Sequence, residues 1–179
     1  DFPNIARQVI NQVGYEQHSF NGKTCGIVTS LKEMPEGEHC CFDERMLSDE
    51  EIERIPVKNQ VTAFGFACTQ TPAFMPLPIW LAHRLSRKLT SARLQRILSY
   101  LEPDGKTQVG IEYKNRKPYR IHSITVIASQ KRAEEPALQK LERDIREAVI
   151  ESVFRDEPIK PDKRTRIFVN PDGPFLMGG

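Results

Sequence analysis

The run Pro103-Asp104-Gly105-Lys106-Thr107-Gln108 sets a carboxylate, a glycine and an ammonium at three consecutive positions, between a basic helix and a strand. Asp104 can accept hydrogen bonds from a ribose or an amine. Gly105 lets a backbone approach a ligand closely, and Lys106 can set a positive charge against phosphate oxygens. The competing reading is an ordinary P-D-G turn with a solvated Lys106, and spacing alone favours it. A second run, Asn170-Pro171-Asp172-Gly173-Pro174-Phe175, ends on a ring that could stack on a base. Its plainer reading is a turn with Phe175 in the core. His39-Cys40-Cys41 could suggest a metal site, but adjacent cysteines reach one tetrahedral ion poorly and no second Cys/His pair stands at a finger-like spacing. Neither G-x-x-x-x-G-K-[ST] nor G-x-G-x-x-G occurs, and there is no G-x-S-x-G elbow, so two nucleotide cradles and one nucleophile turn are excluded.

These residues need elements to hold them. Ile5, Ala6, Val9, Ile10 and Val13 make a helical stripe over 4–13, with Pro3 near its start and Gly14 at its stop. Residues 24–31 (TCGIVTSL) read as a strand needing cover on both faces. Residues 32–54 hold nine acidic residues with Pro35 and Gly37, so they read as a solvated, mobile loop. One helical turn is expected at 48–52, capped by Ser48 with Glu51 completing a capping box. Residues 61–68 (VTAFGFAC) read as a second strand, with Gly65 marking a bulge or close approach. Pro78 opens a helix whose stripe includes Ile79, Ala82, Leu85, Leu89, Ala92 and Ile97. Residues 107–113 and 119–129 alternate as a hairpin around KNRKP. Leu138, Leu141, Ile145, Ala148, Val149 and Val153 mark a helix over 136–154. A charged linker over 155–166 leads to a last strand at 165–169.

Helices mixed with paired strands, without a regular βαβ rhythm, predict an α+β fold: helices packed on one face of a mainly antiparallel or mixed sheet. The organisation reads as a partial domain over 1–56 (helix, strand and acidic loop) and an α+β domain over 57–179 carrying the chemical residues. The 179 residues carry 26 basic and 24 acidic side chains, a net charge of +2, so total charge gives no nonspecific pull toward nucleic acid or membrane. From Ala73 to Leu101 the chain has no acidic residue but holds His83, Arg84, Arg87, Lys88, Arg93 and Arg96. Such a helix can meet nucleic-acid phosphates, or acidic groups of its own chain or of a partner; without interleaved aromatics, nucleic acid is the lesser reading. No apolar stretch approaches the ~20 residues that cross a bilayer. The start is not a signal peptide, and without an initiator Met it reads as lying inside a longer gene product. Cys25, Cys40, Cys41 and Cys68 are expected as free thiols in a reducing, cytoplasmic setting.

Several ordered runs together resemble the S-adenosylmethionine synthetases (methionine adenosyltransferases). FPNIARQVINQVGY and FNGKTCGIVTSL resemble the family's helix and strand before its active-site loop. FGFACTQTPAFMPLPIWLAHRLSRKLTSAR resembles F-G-Y-A-x-x-E-T-x-x-x-M-P-x-x-x-x-L-A-H-x-L. YLEPDGKTQVGIEY resembles W-L-R-P-D-x-K-T-Q-V-T-x-Y, and IFVNPDGPFLMGG resembles I-N-P-T-G-R-F-V-I-G-G. The resemblance implies transfer of the adenosyl group of ATP to the sulfur of methionine, with triphosphate released and then hydrolysed. It implies magnesium and potassium as cofactors, with their ligands outside this chain. It also implies a homo-oligomer or a partner synthetase subunit, since family active sites lie between two subunits. Lys106 becomes a catalytic triphosphate contact, and Asp104, Gly105, Asp172, Gly173 and Pro174 become ATP-site positions. Phe175 becomes the adenine-stacking ring, and Asn59 and Gln60 become substrate contacts.

The sequence also departs from the family. G-D-Q-G is here Lys58-Asn59-Gln60-Val61, which removes a carboxylate. The arginine before the stacking Phe is Pro174, and the arginine of L-R-P-D is Glu102. The family's S-P-D-I-x-Q-G-V loop is here KEMPEGEHCCF. The G-H-P-D-K and D-x-G-L-T-G-R-K segments do not occur. These departures imply a chain that is incomplete or inactive alone, or else an inactive homologue acting as a binding or regulatory subunit.

Overall fold

The computed structural model describes residues 1–16, 20–31, 44–55, 60–132 and 137–176. The acidic loop at 32–43 (with His39, Cys40 and Cys41) and Asn59 lie outside them. Of the other two cysteines, Cys25 and Cys68 are free thiols.

Helix α1, Phe2–Val13, follows the apolar stripe read from the sequence and stops at Gly14, whose φ of 94° is left-handed. Such a C-terminal glycine satisfies the last carbonyls, and its N–H indeed reaches Ile10 O and Asn11 O. A short helix α2, Asp49–Glu53, carries the expected capping box: Ser48 Oγ accepts from Glu51 N–H while Glu51 accepts from Ser48 N–H. Helix α3, Leu77–Leu94, ends earlier than its stripe suggested. Arg96 turns left-handed at φ 58°, and the N–H groups of Ile97 and Leu98 close back on Ala92 O. Leu98 is thereby buried while Ile97 stays in solvent.

Strands β1, Leu101–Lys114, and β2, Lys117–Gln130, form the expected antiparallel hairpin. Asn115 and Arg116 at its tip both take positive φ, as a tight two-residue turn requires. Strand β3, Arg166–Val169, pairs with β2 in parallel, giving a mixed sheet of order β1-β2-β3. Helix α4, Leu138–Ile145, runs on through a π-turn, Arg146–Glu151, into α5, Ser152–Phe154. The wider turn lets the neighbours Val149 and Ile150, and then Val153 and Phe154, all face inward.

The core lies between the helices and one sheet face: Leu81, Leu85 and Leu89 of α3, Val109 of β1, Ile121, Ile124 and Val126 of β2, and Leu141 and Ile145 of α4. This is the helices-on-one-face α+β arrangement the sequence predicted. Burying each such side chain contributes about 1.5–3 kcal/mol. Among the described residues, all the buried hydrophobic ones fall between Leu77 and Val169.

Three local expectations are corrected. Residues 24–31 and 61–68 form no strand: no described strand lies beside either, and Val28 and Phe64 are each 96% exposed. Gly65 marks neither bulge nor close approach, since a Cβ there would meet open space. Pro103-Asp104-Gly105 is not a turn but extended β1, with a register shift between Leu101 and Gly105. The charged 155–166 linker is tied to the domain at two points: buried Glu157 accepts from Trp80 Nε1 at 3.2 Å and from Arg84, and Arg120 binds both oxygens of Asp162. Two basic residues of α3 are thus engaged within the chain, Arg84 here and Arg93 with Val13 O at 2.8 Å.

Candidate functional site

Strand β2 between Val126 and Gln130 is flanked on both sides by the chemical runs. On one side β1 sets Gly105 opposite Ala128 and Lys106 opposite Ile127. On the other, the residues after β3 close onto the same stretch: Asn170 N–H donates to Val126 O at 3.1 Å, and Phe175 O accepts from Gln130 N–H at 3.0 Å. Two segments either side of one strand stand about 10 Å apart, twice the strand spacing. The fold therefore brings the Asp104–Lys106 run and the Asp172–Phe175 run to one end of the sheet.

Each side chain has a local reason for its position. Asp104 Oδ1 accepts from the Tyr15 hydroxyl at 2.5 Å, and Asp104 O accepts from Ser129 Oγ at 2.8 Å. The hydrogen bond to Asp104 raises the Tyr15 phenol above its ordinary value, with burial and the Asp104 charge adding to it and Arg93 opposing. Lys106 is exposed, and no hydrogen bond or ion pair holds its ammonium among the described residues. Gly105 is explained by packing: a Cβ there would come within 2.8 Å of Leu89 Cδ2 and 3.2 Å of Ile127 O.

The second run is a turn, as the plainer reading had it, but Phe175 does not join the core that reading expected. Gly173 is left-handed at φ 97°, and its N–H donates to Asn170 O at 2.9 Å. Asp172 and Pro174 are exposed, and Phe175 is half-buried. Gln60 is exposed in the segment before α3 and makes no hydrogen bond to either run.

Sequence reading missed three residues. Asn170 is buried, sits at φ 43°, and clamps β2 through its amide: Oδ1 accepts from Ala128 N–H at 2.8 Å and Nδ2 donates to Ala128 O at 3.0 Å. The N-P-D-G pattern signalled the turn but not this clamp. Gln130 is 2% exposed, and its Oε1 has no hydrogen-bond partner. Tyr15 reaches Asp104 from 89 positions away, a pairing no local pattern reveals.

No group of three or more His, Cys, Asp and Glu side chains converges among the described residues. The site's one anchored carboxylate, Asp104, is already engaged by Tyr15. This donor set does not fit a divalent cation. No described helix is long and apolar enough to cross a membrane.

An α+β domain with the Asp104–Lys106 and Asp172–Phe175 runs beside one end of its mixed sheet is the class that the fold defines. Residues 54–175 match the family model of the S-adenosylmethionine synthetase central domain. The chain is 40% identical over 185 residues to the S-adenosylmethionine synthase of Clostridium botulinum (strain Alaska E43 / Type E3), covering 100% of this chain and 46% of that protein. It is 41% identical over 193 residues to the synthase of Thermosynechococcus vestitus, with the same two coverages. The chain therefore belongs to the S-adenosylmethionine synthetase family, and it spans about half the length of these curated relatives (46%).

Proposed function

We propose that this chain supplies one wall of a methionine adenosyltransferase site. In that reaction the methionine sulfur attacks C5′ of ATP, a sulfur–carbon bond forms, and the C5′–oxygen bond breaks. Its electron pair leaves on triphosphate, and the new sulfonium carries the positive charge. A protein aids this step by aligning sulfur, carbon and leaving oxygen and by stabilising charge on the departing chain. Lys106, exposed and unpaired among the described residues, is the group to meet triphosphate oxygens. Asp104, held by Tyr15, would accept from the ribose or from the methionine amine. Phe175 is the ring for the adenine, with Asp172, Gly173 and Pro174 shaping the approach and Asn59 and Gln60 contributing from the segment before α3. The carrying observation is that the Asp104–Lys106 and Asp172–Phe175 runs flank the same five residues of β2.

The site is completed by parts beyond these residues. Val28, Leu31, Val61, Phe64 and Phe66 are each at least 74% exposed, apolar side chains of a kind that a partner surface covers. Further domains or a second subunit of a cytoplasmic oligomer would cover them, and would also bring the ligands for magnesium and potassium. The test is incubation with ATP, methionine, Mg²⁺ and K⁺, with and without a full-length companion synthase subunit. The expected result is no product from the chain alone and S-adenosylmethionine from a mixed assembly. That product should fall about tenfold or more with Lys106→Met, which removes a charge-assisted contact. A mixed assembly indifferent to Lys106 would overturn the assignment.

A second reading, an inactive homologue that binds or regulates a synthase, is favoured by Glu102 two residues before Asp104 and by Pro174 beside Phe175. It predicts co-purification with a synthase and no turnover at sites that include this chain.

A further inference from the structure

A cleft of about 500 Å³, lined by neither Lys106 nor Phe175, opens between the π-turn and the run from Lys160 to Ile167. That volume is in the range of small-molecule sites. Its floor is apolar: Ile150 is 2% exposed, Phe154 is 3% exposed, and Ile167 packs against the core. Its rim is cationic. Arg146, Arg155, Lys160 and Lys163 line it, against the acids Glu151 and Asp162. Asp162 is taken by Arg120, through Nη2 at 2.9 Å and Nε at 3.1 Å, and Arg146 reaches Glu142 at 3.3 Å. Arg155, Lys160 and Lys163 make no ion pair among the described residues, which leaves three cations facing one carboxylate, Glu151.

One wall is preorganised. Asp162 N–H donates to Thr165 Oγ1 at 2.9 Å, Arg164 N–H donates to Asp162 Oδ1 at 2.8 Å, and Thr165 Oγ1 donates to Ile121 O at 2.8 Å. The other wall is a π-turn, a rare backbone form that occurs frequently at functional sites. A wall already fixed lowers the ordering cost of binding.

We infer that this cleft binds a small phosphate monoester with an apolar, aromatic-sized body. The body lies over Ile150, Phe154 and Ile167. The dianionic head meets Lys160, Lys163 and Arg155, where charge-assisted contacts are strongest. The site shares no residue with the proposed adenosyl-transfer site, so either can fail without the other.

Phenyl phosphate is the probe, titrated into the whole chain by calorimetry and by methyl NMR with labelled isoleucines. One saturable site is expected, shifting the Ile150 and Ile167 methyl signals. Inorganic phosphate and benzyl alcohol, each carrying half of the recognition, should bind about tenfold or more weakly. Lys160→Glu with Lys163→Glu should lose affinity by about tenfold or more, while Lys106→Met should leave it unchanged. If the double variant does not fold, the exposed Arg155→Gln gives the same reading. Equal affinity for inorganic phosphate and phenyl phosphate, unchanged affinity in the folded rim variants, or no movement of the two isoleucine methyls would overturn the inference.

Discussion

Tyr15 and Asp104 join the end of α1 to the start of β1: the phenol donates to the carboxylate at 2.5 Å across 89 positions of sequence. With Arg93 holding Val13 O, this bond fastens a helix that buries none of its own residues to the edge of the candidate site. The phenol is raised above its ordinary 10.0 chiefly by that hydrogen bond. A raised pKa stabilises the fold fully below the unfolded value, and the contribution is lost as pH climbs through the folded one. Ultraviolet titration of the tyrosines should therefore show a late-ionising group that disappears in Tyr15→Phe and moves back toward 10.0 in Asp104→Asn. A second late group, Tyr100, is raised by burial and by its bond to Asp144, and should persist in both variants. The Tyr15→Phe cost, read by urea unfolding near neutral pH, should be about 1 kcal/mol because the bond is only part-buried.

Asn170 carries two separable roles, a left-handed backbone at φ 43° and a two-pronged amide clamp on Ala128. Glycine tolerates the backbone but makes no clamp, whereas alanine satisfies neither. Asn170→Gly should cost about 1–3 kcal/mol for the lost hydrogen bonds. Asn170→Ala should cost roughly a further 1 kcal/mol of left-handed strain. Denaturant midpoints of the two variants check the order; equal midpoints would remove the strain from the account.

Gly105 tests whether its glycine serves packing. A Cβ at that position would stand 2.8 Å from Leu89 Cδ2, and such overpacking costs about 1–3 kcal/mol. Gly105→Ala should be destabilised by that amount, and Leu89→Ala by about 2–5 kcal/mol. The double variant should be less unstable than the two losses summed, because the missing leucine branch makes room for the new methyl. Strict additivity in a double-mutant cycle would place the conflict elsewhere, for instance at Ile127 O.

What was legible in the sequence was whatever rests on short-range periodicity with a partner inside the chain. The stripes of α1 and α3, the Ser48–Glu51 box and the β1–β2 hairpin all belong to this class, because their spacing and turn chemistry settle them locally. The strands expected at 24–31 and 61–68 were not realised. Their apolar pattern is suited to a neighbour on each face, and Val28 and Phe64 stand almost fully exposed without one. Pro103-Asp104-Gly105 misled because a P-D-G pattern favours a turn locally, whereas pairing of Gly105 with Ala128 and its fit beneath Leu89 hold it extended. The candidate site was half visible. Asp104, Lys106 and Phe175 stood out by type and motif, while the Asn170 clamp, the Tyr15 bond and the buried Gln130 exist only through long-range contacts.

Gln130 poses the last question, since a buried acceptor without a partner is a standing cost of about 1–3 kcal/mol. Its backbone N–H holds Phe175 O, opposite Leu101 at the end of β2, and its Oε1 is the one buried side-chain polar atom without a partner among the described residues. Methionine matches its volume and shape without the orphan oxygen. Gln130→Met should therefore leave chemical unfolding of the chain unchanged or raise stability by about 1 kcal/mol. The same change should lower adenosyl transfer in a mixed assembly if a substrate or a neighbouring subunit donates to that oxygen there. Reduced turnover at undiminished stability would assign Oε1 to the assembled site, whereas unchanged turnover would leave it a structural cost tolerated by the fold.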